Sequence, residues 1–221
     1  MLFDLRSRGR RRTVQVVYLG LALLMGSGLV LFGVGSGNGL GGLLNGLTGN
    51  GSTSGQKQVV SQQEKTALQQ TKLNPTDPAG WAALVQARWT SAGQGNDYNA
   101  ATGTFTAVGK KELAATTQAW ERYVMLIKHP DPNLAILASR AYSALGNYAG
   151  QAGAWEIETL ANPNQAKGFE CLAVSAYAAK QTRKGDLAAA KALALVPKLQ
   201  RVTLKQQLDQ AKTQPQVAQS C

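Results

Sequence analysis

From Thr13 to Gln56 this chain of 221 residues carries no charged side chain, and every Asp, Glu, Lys and Arg lies outside that stretch. Its first half, Thr13 to Val34, reads TVQVVYLGLALLMGSGLVLFGV. At 1.5 Å per residue those 22 residues make about 33 Å of helix, enough to cross a hydrocarbon core of about 30 Å. Arg6, Arg8, Arg10, Arg11 and Arg12 stand just before the run, opposed only by Asp4, and Gly35 to Gly55 has no Lys or Arg. This asymmetry predicts a single-pass membrane helix at 13–34. The basic tail 1–12 is then cytoplasmic and the remainder of the chain extracytoplasmic. A cleaved signal peptide has a shorter apolar region, of about 7–15 residues. A twin-arginine signal at Arg11-Arg12 is poorly matched by Thr13-Val14-Gln15. Ala22 and Gly26 form a small-xxx-small pair of the kind that lets membrane helices approach, although small residues are also tolerated there without pairing.

Residues 35–55 carry nine glycines. Such a segment is a flexible linker with a reach of about 25 Å. Gly37, Gly39 and Gly42 fit GxGxxG, but no strand precedes them, so a dinucleotide site is not expected.

Residues 56–213 are rich in Ala, Leu, Gln and Lys, and their apolar residues recur at helical spacing. The pattern predicts helices at 56–73, 78–92, 110–128, 132–145, 148–160, 165–181, 185–196 and 198–212, followed by a disordered tail at 214–221. Asp77-Pro78 and Asp131-Pro132 each place a capping carboxylate before a proline at the first helical position. Residues 93–109 read as a loop longer than a compact helical domain needs. Leu199, Val202, Leu204 and Leu208 are expected to form the apolar stripe of the last helix.

Pro130, Pro163 and Pro197 are 33 and 34 residues apart, and Tyr142 and Tyr177 are 35 apart. Gly146-Asn147-Tyr148 and Gly185-Asp186-Leu187 both stand between paired helices. The small residues Ala138, Ala141, Ala173, Ala176 and Ala190 would let helices approach, and Trp120, Tyr142, Trp155 and Tyr177 would fill the layers between them. With these residues the chain from about Lys72 to Pro197 resembles the tetratricopeptide repeat (TPR), a helix-turn-helix unit of 34 residues, and bacterial membrane-anchored proteins that carry it. The resemblance implies an all-α, short TPR-like α-solenoid of about three hairpins plus flanking helices, tethered to one transmembrane helix.

The chain offers few residues for chemistry. His129 is the only histidine and sits at a helix C-terminus, where it suits the dipole. Glu156 and Glu158 are two apart on a helix and do not face each other. Cys171 and Cys221 could pair outside the cytoplasm, but a frayed tail offers no fixed geometry, so Cys171 reads as a small buried residue. No enzyme, cofactor or metal site is expected. The formal charge is +11; residues 1–12 supply +4, leaving +7 dispersed over the rest, which does not make the clustered stripe of a nucleic-acid binder. Two functions remain. One is a repeat scaffold binding a protein or peptide outside the membrane, at a secretion or envelope-assembly site. The other is a basic envelope protein engaging anionic polymers or lipid head groups.

The first helix of each hairpin lines the concave face in repeats of this type. The resemblance therefore points Gln86 and Trp89, then Asn133, Ile136, Arg140 and Ser143, then Ser175 toward a partner. Trp89 and Ile136 would anchor, Arg140 would fork a carboxylate or carbonyl, and Gln86 and Asn133 would hold peptide backbone. The loop 93–109, with Tyr98 and Phe105, is long enough to fold over this groove as a lid or to be a second contact site. The alternative is that Trp89 packs on helix 110–128 and the groove is filled by the loop or the 56–73 helix. For the topology, a reporter enzyme fused after Cys221 is expected to be active only in the extracytoplasmic compartment; cytoplasmic activity would overturn it.

Overall fold

The computed structural model describes Thr53–Cys221. The expected membrane span at 13–34 and most of the linker lie outside the described residues. Among the described residues, no helix is long and apolar enough to cross a membrane. The described part is all-α apart from one two-residue ribbon. Its helices are α1 (Thr53–Leu73), α2 (Pro78–Ala92), α3 (Ala107–Leu126), α4 (Pro132–Ala144), α5 (Tyr148–Ala161), α6 (Ala166–Ala178), α7 (Thr182–Leu195) and α8 (Arg201–Ala211). Each helix from α1 to α7 packs on its neighbours in chain order, α2 also touches α4, and α8 lies on α6 and α7.

The punctuation follows from capping. Asp77 Oδ1 accepts a hydrogen bond from Ala79 N at 2.9 Å, and Asp131 Oδ1 accepts from Asn133 N at 2.8 Å. Pro78 and Pro132 occupy the first helical positions, where no N–H is missed. Asn147 caps α5 and Thr106 caps α3 in the same way. Each such cap stabilises its helix by about 1 kcal/mol. α1 begins at Thr53, three residues into the expected linker. Arg88 of α2 binds its neighbours on both sides: Nη1 donates to Ala115 O of α3 at 3.0 Å, and Nε lies 3.4 Å from Glu64 Oε1 of α1. Burial and the nearby Glu64 carboxylate raise the pKa of Glu112 above the usual carboxylate value, with Arg88 opposing them.

The two hairpins α4–α5 and α6–α7 repeat at the backbone level with a spacing of 34. Gly146 (φ 71°) and Lys180 (φ 60°) are the left-handed residues of the two turns. Across them Asn147 N donates to Tyr142 O at 2.9 Å and Gln181 N to Ala176 O at 2.8 Å, the closing bond of a Schellman cap. This corrects the expected third turn. Gly185 is not in a turn but inside α7, and α6 is 13 residues long like α4. Lys180 takes the left-handed position in place of a glycine, and that substitution hid the turn.

Gly185 has a different task. The Tyr177 ring lies over it so closely that a Cβ there would stand 2.5 Å from the ring, and Tyr142 lies over Gly150 in the same way. In both pairs the glycine follows the tyrosine by eight residues. The tyrosine hydroxyls donate outward, Tyr142 to Glu121 Oε1 at 2.9 Å and Tyr177 to Asp186 Oδ1 at 2.8 Å. The residue under the Tyr142 ring is Gly150, one position before Gln151.

Tyr142, Trp120 and Tyr123 belong to a core shared by α1 to α5, and Trp155 and Tyr177 to a second core shared by α5 to α8. Ala138, Ala141, Ala173 and Ala176 are fully buried, as expected, but Ala190 is exposed and Ala189 and Ala192 take its place. The stripe of α8 is Leu204, Leu208 and Ala211, spaced four and three. Leu199 and Val202 are exposed, at 94% and 68%: Leu199 sits in a 3-10 turn before the helix, and Val202 is about 200° around it from Leu204. The segment 214–221 is not an unordered tail. Pro215–Ser220 is a 3-10 helix with Ala218 buried, and Cys221 is disulfide-bonded to the buried Cys171.

Two outcomes follow from the tyrosine contacts. Gly150→Ala is expected to destabilise the domain by about 1–3 kcal/mol through overpacking. Gly153→Ala, where a Cβ would meet nothing within 4 Å, is expected to stabilise it by about 0.5–1 kcal/mol. Thermal unfolding followed by circular dichroism compares them; equal effects would remove the ring-on-glycine contact as the cause. Burial, and then the hydrogen bonds to Glu121 and Asp186, raise the pKa values of Tyr142 and Tyr177 above the ordinary tyrosine value. The folded state thus favours the neutral phenols. Their contribution is complete below about pH 10, where unfolded tyrosine ionises, and is lost as pH rises toward the folded values. The double variant Tyr142→Phe with Tyr177→Phe should lose less stability than the parent between about pH 9 and 11; parallel decline would refute the assignment.

Candidate functional site

Three helices meet beneath one groove. Ala92 of α2, Leu113 of α3 and Ala141 of α4 form a small buried cluster, with Trp89, Phe105, Ala144 and Leu145 packed against it. The loop after α2 supplies the cover. A 3-10 turn at Gly95–Asp97 leads into a ribbon of Tyr98–Asn99 paired with Thr104–Phe105, Tyr98 opposite Phe105. Thr106 Oγ1 and N both donate to Asp97 O, which fixes the ribbon's return into α3. Tyr98 meets Phe105 edge-on at 5.0 Å between ring centroids, and Phe105 lies 6.3 Å from Trp89.

The groove above this cluster has a volume of about 410 Å³. Trp89 enters from α2, Thr104 and Phe105 from the ribbon, and Lys110 from α3; Arg140 and Ser143 come from α4. Gln219 and Cys221 close another side. Among the described residues, neither Arg140 nor Lys110 makes an ion pair, and no side-chain hydrogen bond occupies either. Two unpaired cations beside two aromatic faces can receive an anionic group attached to an apolar one.

Of the residues expected to face a partner, the structure brings Trp89, Arg140 and Ser143 to this groove. Gln86 and Asn133 are exposed elsewhere on α2 and α4, and Ile136 is half-buried against the second core. Ser175 is fully buried and donates to Cys171 O at 2.7 Å, so it offers a partner no surface. The expected register points it outward, but α6 has neighbours on several sides: α5, α7, α8 and the 215–220 segment. Trp89 is half-buried against the cluster and also lines the groove. Thr104 and Phe105 of the loop line this site, while α1 packs on α2 and supplies none of its lining.

Sequence reasoning missed Lys110, Gln219 and Cys221. Lys110 reads as half of a solvated lysine pair. The signal for the other two was Gln151, a polar residue where the resemblance leads one to expect a small alanine. It is fully buried, and its Nε2 donates to Ala218 O at 2.8 Å. No group of three or more His, Cys, Asp or Glu that could hold a metal ion occurs among the described residues. The chain matches no protein-family model, no curated protein and no solved structure.

Proposed function

We propose that this chain is a membrane-anchored helical-repeat scaffold of TPR-like type. Its groove takes a peptide segment of a protein partner on the extracytoplasmic side, at a site of secretion or envelope assembly. The observation that supports this reading is the pairing of Arg140 and Lys110, without counter-ions, with the exposed sides of Trp89 and Phe105. That chemistry selects an acidic residue next to an apolar one. The 34-residue recurrence of the backbone caps and the chain-order packing support a repeat architecture.

A photo-crosslinking side chain at Thr104, exposed on the ribbon and lining the groove, tests this in the full chain in native membranes. A discrete captured protein is expected. Arg140→Glu with Lys110→Glu should abolish its capture while leaving the melting temperature within a few degrees. Undiminished capture by a folded double variant would remove the groove as the site. Capture that vanishes at about 0.3 M salt and yields no discrete species would instead favour the basic-envelope reading, because exposed charges on a polymer surface are screened within a few ångströms.

A further inference from the structure

The segment 215–221 lies against α6, α4 and α8 and forms one side of the groove, yet its noncovalent hold is slight. Pro215, Gln216, Gln219 and Ser220 are exposed. Ala218 is buried, Val217 is partly buried, and Gln219 Nε2 reaches Tyr148 Oη only at 3.4 Å. The two firm attachments are the Cys171–Cys221 disulfide and the hydrogen bond from Gln151 to Ala218 O. Gln151 is fully buried, and its Oε1 has no partner. A glutamine amide can donate to a backbone carbonyl and accept from a backbone N–H at once, so only half of this clamp is in use. An unpaired buried polar atom costs about 1–3 kcal/mol. A segment free to choose its register could supply the missing N–H.

We propose that residues 215–221 are a built-in occupant of a second peptide-binding surface centred on Gln151. Thiol–disulfide exchange at Cys171–Cys221 releases them, so that a separate uncharged segment with a small residue at its centre takes their place. This rests on reading this side of the domain as peptide-binding, though not on the acidic preference of the groove. Cys171 is buried, whereas Cys221 is half-buried and lines the groove, so a dithiol reductant reaches Cys221 first. Its thiolate attacks Cys221 Sγ, the S–S bond breaks, and Cys171 leaves as a thiolate that takes up a proton. The reductant's second thiolate then attacks its own sulfur in the mixed disulfide. The reductant ends oxidised and Cys221 ends as a thiol. Departure of Gln219 and Cys221 also widens the groove between Trp89 and Ser143 on that side.

The test uses the full chain in detergent micelles and a fluorescein-labelled synthetic peptide of residues 213–220, read by fluorescence anisotropy. The oxidised chain is expected to take up no peptide. The chain reduced with dithiothreitol, and independently Cys221→Ser, should bind it saturably and show faster amide exchange at 217–221. Adding Gln151→Leu to Cys221→Ser should weaken binding at least tenfold, and a peptide with glutamate in place of its alanine should not bind. Equal uptake by the oxidised chain would overturn the proposal. So would no uptake by both opened forms with unchanged helical circular dichroism. Capture at Thr104 in the oxidised chain is a separate readout. Its loss with peptide uptake intact would remove only the acidic-partner reading, and the reverse result would remove only this one.

Discussion

The placing of a tyrosine ring directly over a helical glycine sets the spacing of both hairpins from which the later part of the domain is built. Tyr142 over Gly150 and Tyr177 over Gly185 bring the second helix of each hairpin closer to the first than any side chain would permit. That close approach lets alanines such as Ala138, Ala152, Ala173 and Ala176 pack at zero exposure. It also leaves the phenol oxygens at the edge of the core, where Glu121 and Asp186 accept their hydrogen bonds. An ordinary leucine at either tyrosine would leave the ring's volume empty, and a side chain at either glycine would push the hairpin open. The aromatic and the small residue are one device and have to change together.

The groove is a consequence of where this device is missing. Between α2 and α3 no tyrosine ring packs on a helical glycine as at Gly150 and Gly185, and the connection is a loop with a ribbon instead of a three-residue turn. The space is filled by Trp89, Phe105 and Leu113 around Ala92 and Ala141, a much smaller cluster than those on either side of it. A small core under a long, folded-back loop leaves Trp89 only half covered, and it places the ribbon beside α4 and within reach of Arg140. The site thus arises from the irregular first hairpin meeting the regular second one.

This division also explains what the sequence disclosed. The helices, the Asp-Pro caps at 77–78 and 131–132, and the burial of Trp120, Tyr142, Trp155 and Tyr177 were legible because each depends on local chemistry or on a short period. Trp89, Arg140 and Ser143, three of the residues to which the resemblance pointed, line the groove together. Ser175 was not, because α6 is also covered by α8 and the 215–220 segment, contacts made at long sequence separation. The third turn was misread because a left-handed lysine, Lys180, carries none of the signal a glycine would. Leu199 and Val202 were misread because a 3-10 turn at Lys198–Gln200 shifts the phase of the helix behind it.

Gln151 shows how a breach of a local rule carries long-range information. A glutamine buried to zero exposure amid alanines is an unfavourable choice for packing alone, because both amide ends need partners. It follows Gly150 in α5 and is fully buried, with its Oε1 left without a partner. Nothing within α5 can satisfy it there, since the backbone of that turn is already committed to the helix. The partner has to come from elsewhere in the chain, and Ala218 O, 67 residues away, meets it. Cys171 agrees from the other side: a cysteine inside α6 can reach Cys221 only if the chain runs back against α4 and α6. The polar residue and the cysteine, each ambiguous alone, define one path for the segment 215–221, and that path passes along the open side of the groove.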